Sequence, residues 1–168
     1  MKTLTRKEKI EEQKKRNNER KLRARILLKF GLVAEITYII EYGTHIILGH
    51  LLKFQNISPL EKKSLKNNGE KIFKELEEHD KKTVITLTTE EKKARNHKLI
   101  GIGALFEIAN LINVNLAIIT GYCYSLHKKD QNYINDCNIK GKLYFLKKGD
   151  GQNDKKNIWF FLWKKSRD

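Results

Sequence analysis

Apolar residues recur at helical spacing along much of the chain. From Leu22 onward one helix face carries Leu22, Ile26, Leu27, Phe30, Val33, Ile36 and Ile40. This pattern predicts one long helix over residues 5–42, which a capping box of Thr5 and Glu8 begins and Gly43 ends. Thr44 is then the predicted cap of a second helix over residues 45–55.

Start and stop signals divide the rest of the chain. Ser58-Pro59-Leu60-Glu61 predicts a connecting helix that runs to about Lys82 and is broken or weakened at Asn67-Asn68-Gly69. The β-branched stretch at residues 83–88 predicts a strand or an extended link. Two aromatic runs, residues 143–146 and 158–163, flank a Gly-containing loop and predict a β-hairpin, with an apolar tail as the alternative.

One segment occurs twice. Moving residues 19–49 forward by 72 positions onto residues 91–121 aligns 11 identical residues out of 31 without a gap, among them Gly31/Gly103 and Glu35/Glu107. A repeat of this kind determines the architecture before any other signal. The second copy predicts a helix from Thr88 or Thr89 to about Ile112, a turn at residues 113–115 and a further helix over residues 116–128.

The predicted fold is therefore mainly α. Two tandem helical hairpins pack as a four-helix core, preceded by a long basic N-terminal helix and followed by a small C-terminal β-hairpin. The predicted organisation is a basic arm with the first hairpin at 1–57, a connecting helix and extended link at 58–87, the second hairpin at 88–128, and an aromatic and basic segment at 129–168.

Positive charge is concentrated at the two ends. Of the net charge of +15, residues 1–30 carry +8 and residues 138–168 carry +6. Some of the lysine excess is what an AT-rich genome would give, but five of the seven arginines lie within the first 25 residues. The predicted nucleic-acid-binding residues are Arg6, Lys14, Lys15, Arg16, Arg20, Lys21, Arg23 and Arg25, which would neutralise phosphates without sequence choice.

The same arm allows other interpretations. Glu8, Glu11, Glu12 and Glu19 are interspersed with the basic residues, and three of them precede a Lys or Arg by four positions, as in a solvated helix or a protein-docking arm. Glu35 and Glu107 lie in the apolar part of each copy. We expect them on the exposed edge of an amphipathic helix, with pairing to Arg23, Arg95 or a partner as the alternative.

Several kinds of site find no support. The five histidines and two cysteines show no metal-ligand spacing, and no catalytic or phosphate-binding motif is present, so we predict a non-enzymatic protein without cofactor or metal. Gly101-Ile102-Gly103 is better explained by close helix packing than by dinucleotide binding. Residues 99–126 carry one formal charge, but polar residues near the middle favour a buried helical hairpin over a membrane span. Without a secretory leader, we expect a reduced, cytoplasmic protein.

The duplicated segment resembles the core of a known family. Lys93-Ala94-Arg95, Lys98-Leu99-Ile100 and Ile102-Gly103-Ala104-Leu105 in the second copy are similar to the conjugal transfer protein TraD family of the Ti-plasmid type. The first copy resembles it through Arg23, Arg25, Lys29-Phe30-Gly31-Leu32-Val33 and Ile47-Leu48-Gly49-His50-Leu51-Leu52. The resemblance covers about half the chain, at 16–53 and 88–126.

This resemblance implies a bacterial accessory factor of plasmid or integrative-element transfer, unrelated to the large coupling ATPase of the same name. The predicted function is a non-catalytic protein that binds DNA, the relaxase or both through the basic N-terminal helix. Two alternatives remain: a protein-docking module that does not contact DNA, and a small membrane-associated protein. The chain departs from the family in its second copy, in its aromatic C-terminal segment and in Thr120.

Overall fold

The computed structural model describes residues 5–79 and 87–149 of the chain. Six α-helices form a bundle: α1 Arg6–Ile36, α2 Thr44–Leu52, α3 Pro59–His79, α4 Thr89–Ile108, α5 Leu116–Ser125 and α6 Gln131–Gly149. Short 3-10 turns lie at Ile39–Tyr42, Phe54–Asn56 and Leu126–Lys128. The predicted mainly α fold is confirmed, and α1, α2, α4 and α5 are the four helices of the predicted core.

The helix starts follow the capping chemistry of the sequence. The Thr5 hydroxyl accepts from the Glu8 amide at 3.4 Å and the Thr88 hydroxyl accepts from the Glu91 amide at 3.3 Å, so α1 and α4 begin with the same capping box. The Ser58 hydroxyl accepts from the Glu61 amide, as predicted for α3. Asp130, the counterpart of Ser58 at the offset of 72, accepts from the Tyr133 amide at the start of α6.

Two helix ends differ from the prediction. The first helix ends at Ile36 rather than continuing to residue 42, because Tyr38 adopts a left-handed conformation with φ of 55°. Asn110, its counterpart in the second copy, has φ of 58° and ends α4 at Ile108 rather than near Ile112. The turn of the chain at Tyr38 brings the next residue, Ile39, fully into the core. Gly43, the predicted end of the first helix, instead precedes α2 with φ of 79°.

The two units exchange their helices. Helix α1 packs against α4, α2 packs against α6, and α3 packs against α5. The second helix of each unit therefore meets the third helix of the other unit, and the predicted hairpins do not close on themselves. The units are interlocked in the way the subunits of an intertwined dimer are.

Glycines at the helix crossings explain this arrangement. A Cβ on Gly31 would stand 2.6 Å from the Leu99 carbonyl carbon, and a Cβ on Gly103 would stand 2.6 Å from that of Leu27. These two contacts exchange equivalent residues of the two units, which is the signature of a two-fold interface. The other two crossings follow the same rule, with Gly49 on Cys137, Gly141 on His45, Gly121 on Leu65 and Gly69 on Ala117.

The crossings correct two further expectations. Gly69 does not break α3, because the absence of a side chain there lets α5 approach its backbone. The repeat also extends beyond residue 121, since Gly69 and Gly141 are equivalent at the offset of 72.

The predicted β-hairpin is not formed by its first strand, because residues 143–146, predicted as a strand, lie in α6. The predicted link at residues 83–86 and the second aromatic run at 158–163 lie outside the described residues.

Candidate nucleic-acid interface

The N-terminal part of α1 extends beyond the bundle. The contacts of Leu27 with Gly103 and of Gly31 with Leu99 fix an antiparallel register between α1 and α4. In this register Ile108, the last residue of α4, lies opposite Leu22 of α1. Residues 6–21 therefore have no partner in α4, and at 1.5 Å per residue they form an arm about 24 Å long. Every side chain of this arm is exposed.

The arm is longer than its counterpart in the second unit. Thr88 caps α4 at the position equivalent to residue 16, whereas Thr5 caps α1 eleven residues earlier. Both helices use the same capping box, so the difference is an extension of about 16 Å rather than a different fold. Among residues 5–79 and 87–149, this long N-terminal extension therefore occurs in the first unit alone.

The arm has two faces of opposite charge. Successive residues of an α-helix are 100° apart, and on this projection all four glutamates, Glu8, Glu11, Glu12 and Glu19, fall within an arc of about 100°. The opposite half of the helix surface carries no acidic residue. Its basic side chains, here called the basic face, are Arg6, Lys7, Lys9, Lys14, Arg16, Arg20, Lys21 and Arg25.

Most predicted binding residues are available on this face. Arg6, Lys14, Arg20, Lys21 and Arg25 are exposed, and none of them forms an ion pair within the described part of the chain. Arg16 is also exposed, although it pairs with Glu12 at 2.5 Å, and Lys15 lies on the acidic side. Lys7 and Lys9 share this face although they were not among the predicted residues, and projection at 100° per residue places them there.

Arg23, also predicted to bind nucleic acid, forms an ion pair between the two units. Its guanidinium donates to both carboxylate oxygens of Glu107, at 3.0 Å and 2.5 Å, and this hydrogen bonding raises the pKa of Arg23. Arg95 makes the equivalent bidentate pair with Glu35. Glu35 and Glu107 have side chains that are about one third exposed.

These crossed ion pairs answer the question that the sequence left open. Glu35 and Glu107 were expected on an exposed helix edge, with pairing to Arg23 or Arg95 as the alternative, and the structure shows the pairing. They bridge α1 and α4 on either side of the glycine crossing, and each joins one unit to the other. Such pairs are bidentate, so they fix the register of the two helices as well as adding a modest attraction.

A buried polar cluster lies where the two units meet. His50 and Tyr122, equivalent at the offset of 72, stack with ring centroids 4.1 Å apart. The Tyr122 hydroxyl donates to the His50 carbonyl oxygen, and His50 Nε2 lies 3.1 Å from the Tyr122 carbonyl oxygen. His50 Nδ1 lies 2.9 Å from the Tyr133 hydroxyl. The carbonyl requires a proton on Nε2, so neutral His50 accepts from Tyr133 through Nδ1.

The surroundings of His50 disfavour its charged form. Burial lowers the pKa of His50 to about 4, and the positive charges of Lys129 and Lys53 act in the same direction. Both ring nitrogens are occupied by partners, so the histidine is part of the core. No sequence signal pointed to this cluster, apart from the alignment of His50 with Tyr122 in the repeat.

Two further observations concern other kinds of site. Among residues 5–79 and 87–149, no three His, Cys, Asp or Glu side chains are grouped so that they could hold a metal ion. Within the same described ranges, no helix has both the length and the apolar character needed to cross a membrane.

The fold and the arm define a helical-bundle protein of two interlocked units with one projecting, one-sided basic helix. Comparison of the chain with protein-family models, with curated proteins and with solved structures finds no match.

Proposed function

We propose that this chain is a non-catalytic accessory protein that binds duplex DNA through the basic face of α1. The observation that carries this proposal is the separation of charge on the arm. A helix that is merely solvated has no need to place its acidic residues on one side. The eight basic residues of this face form a continuous half-surface, seven of them on the arm beyond the end of α4, and this surface is an electrostatic footprint for an anionic polymer.

The chemistry of the arm favours the duplex backbone as its target. Residues 6–25 contain no aromatic side chain, whereas proteins that grip single strands stack bases on aromatic rings. Arg and Lys contact phosphate oxygens irrespective of base sequence. Twenty helical residues span about 30 Å, close to one turn of B-DNA. The binding is therefore proposed to be strong at low salt and indifferent to sequence.

The biological process that we propose for this DNA binding is conjugative DNA transfer. Support comes from the resemblance of both copies of the repeat to the Ti-plasmid-type TraD family. In the structure, the motif residues Gly31, Leu99 and Gly103 make the crossing of α1 and α4 together with Leu27. The resemblance therefore concerns the scaffold that holds the arm, and the proposed partners are DNA and the relaxase that processes it.

A second candidate is docking of the arm to a protein. The acidic side of the arm and the exposed Leu22 favour it, because a basic protein surface would find both charge and an apolar contact there. This candidate predicts that charge changes on the basic face leave partner binding unchanged. A relaxase captured at a salt concentration that abolishes DNA binding would support it.

The experiment compares two variants with the same loss of charge. The arm variant carries Lys14→Gln, Arg20→Gln and Lys21→Gln together with Arg6→Gln. The bundle variant carries Lys71→Gln, Lys74→Gln, Lys142→Gln and Lys147→Gln, all at exposed positions of α3 and α6. Gln has nearly the helix propensity of Lys and Arg, so both variants keep their helices.

Binding to a labelled duplex is measured by fluorescence anisotropy. We expect the arm variant to lose affinity on the order of 100-fold, because four charge-assisted phosphate contacts disappear, while the bundle variant stays within a few-fold of wild type. A labelled single strand of equal length serves as the second substrate. Equal losses in both variants would refute the assignment of binding to the arm.

A further inference from the structure

Helix α6 is apolar on two opposite sides. One side packs on α2 through Cys137 and Gly141, with Phe145 adding a ring contact to His45. The other side carries Ile139, Leu143 and Leu146, which lie within about 60° of one another around the helix. Their exposed fractions are 58%, 49% and 64%. A helix that is apolar on both sides is normally covered on both sides.

The first unit provides an internal comparison. The positions of α3 equivalent to Ile139, Leu143 and Leu146 at the offset of 72 are Asn67, Lys71 and Lys74. The two helices have the same place in their units and pack through equivalent glycines, Gly69 and Gly141. The shared fold therefore does not require an apolar outer face. Something specific to the second unit accounts for it.

The chain that follows α6 supplies an apolar segment of matching character. After Gly149 come eight polar or glycine residues at 150–157, and then Ile158-Trp159-Phe160-Phe161-Leu162-Trp163. Eight residues reach up to about 28 Å when extended. Ile139 lies ten residues before the end of α6, about 15 Å along the helix axis. The segment 158–163 can thus turn back and reach the whole apolar face.

We propose that residues 158–163 dock on the outer face of α6 formed by Ile139, Leu143 and Leu146. The tether favours this occupant over a second copy of the chain, because a connection of only eight residues makes docking intramolecular, with an effective concentration on the order of millimolar. It also explains why the apolar face occurs on α6, which precedes the apolar segment, and not at the equivalent positions of α3. Helix α3, followed by a different sequence, keeps a polar face.

The two tryptophans of the chain, Trp159 and Trp163, both lie in the proposed docking segment, so intrinsic fluorescence reports on it directly. In the full chain we expect blue-shifted emission and weak acrylamide quenching compared with free N-acetyltryptophanamide. Both properties should be independent of protein concentration. Emission equal to that of the free amide would overturn the proposal.

The decisive variant transplants the α3 face onto α6: Ile139→Asn, Leu143→Lys and Leu146→Lys. Equivalent positions of α3 already carry these residues, and circular dichroism checks that the helices remain. We expect emission and quenching to shift to those of the free amide. The control, Ile10→Asn, Leu22→Lys and Leu60→Lys, makes the same changes at other exposed positions and should leave both signals unchanged.

A reciprocal variant, Phe160→Lys with Phe161→Lys, changes no residue of α1 to α6 and should give the same shift as the α6 variant. Three results would overturn the proposal: no shift in either variant, a blue shift that grows with protein concentration, or a blue shift that requires anionic lipid vesicles. The second would indicate docking on another copy, and the third a membrane surface.

Discussion

Gly101 and Gly103 lie two residues apart in α4, and the structure gives opposite expectations for changing each to alanine. Gly101 has open space around its Cα, with no atom within 4 Å of an added Cβ. Gly101→Ala should therefore stabilise the protein by about 1 kcal/mol, because alanine is the better helix former. At Gly103 the added Cβ would meet the backbone of α1 instead.

The cost at Gly103 follows from the geometry of the crossing. The Cβ would stand 2.6 Å from the Leu27 carbonyl carbon, whereas carbon atoms in contact are about 3.5–4.0 Å apart, so the helices must separate by roughly 1 Å. Backbone cannot swing aside as a flexible side chain does. Overpacking of this kind costs about 1–3 kcal/mol, and separation also loosens the Phe30–Phe106 contact beside the crossing.

We expect Gly103→Ala to be less stable than wild type by about 2 kcal/mol and less stable than Gly101→Ala by about 3 kcal/mol. Gly31→Ala should cost as much as Gly103→Ala, since the two glycines make equivalent contacts. Urea unfolding followed by circular dichroism gives all three free energies of unfolding, with equal slopes if the unfolded states are alike. Equal stability of the Gly101 and Gly103 variants would refute the close crossing.

Three further predictions concern the core, the ion pairs and the arm. Burial lowers the pKa of His50 to about 4, so the unfolded chain binds a proton at His50 more readily than the folded chain does. The free energy of unfolding should therefore fall by about 3 kcal/mol as the pH drops from 6.5 to 4. In urea unfolding His50→Gln should flatten this pH dependence, and an unchanged dependence in the variant would contradict the assignment to His50. A double-mutant cycle with Arg23→Ala and Glu107→Ala should give a coupling of about 0.5–1 kcal/mol that shrinks in high salt; no coupling would mean that the pair does not join the units. Amides of residues 6–21 should exchange with solvent faster than those of residues 27–34, which pack on α4; equal protection by hydrogen exchange would argue against a free arm.

The sequence predicted what depends on local chemistry. Thr5 with Glu8, Thr88 with Glu91 and Ser58 with Glu61 begin helices as expected, because capping involves residues only three positions apart. The helix ends at Tyr38 and Asn110 were not predicted, since no glycine marks these left-handed residues. The packing of the core requires the chain to turn at these two residues, and a local sequence pattern does not show that requirement.

The periodicity of apolar residues could not predict which helices pack against each other. An apolar stripe shows that a helix face is buried, but not which helix covers it. The exchange of α3 and α6 between units follows from the shapes at Gly69 and Gly141, whose roles depend on residues far away in the chain. For the same reason the local pattern left open whether Arg23 pairs with Glu107, which lies 84 residues away in the chain.

The most direct test of the central claim is the salt dependence of duplex binding. If the basic face neutralises five to eight phosphates, the slope of log K against log salt concentration should be about −4 to −7 for wild type. The arm variant, with four of these charges removed, should show a slope smaller by about 3 to 4. The bundle variant should keep the wild-type slope. Identical slopes for the arm and bundle variants would contradict the account, because they would show that α1 is not the surface that meets DNA.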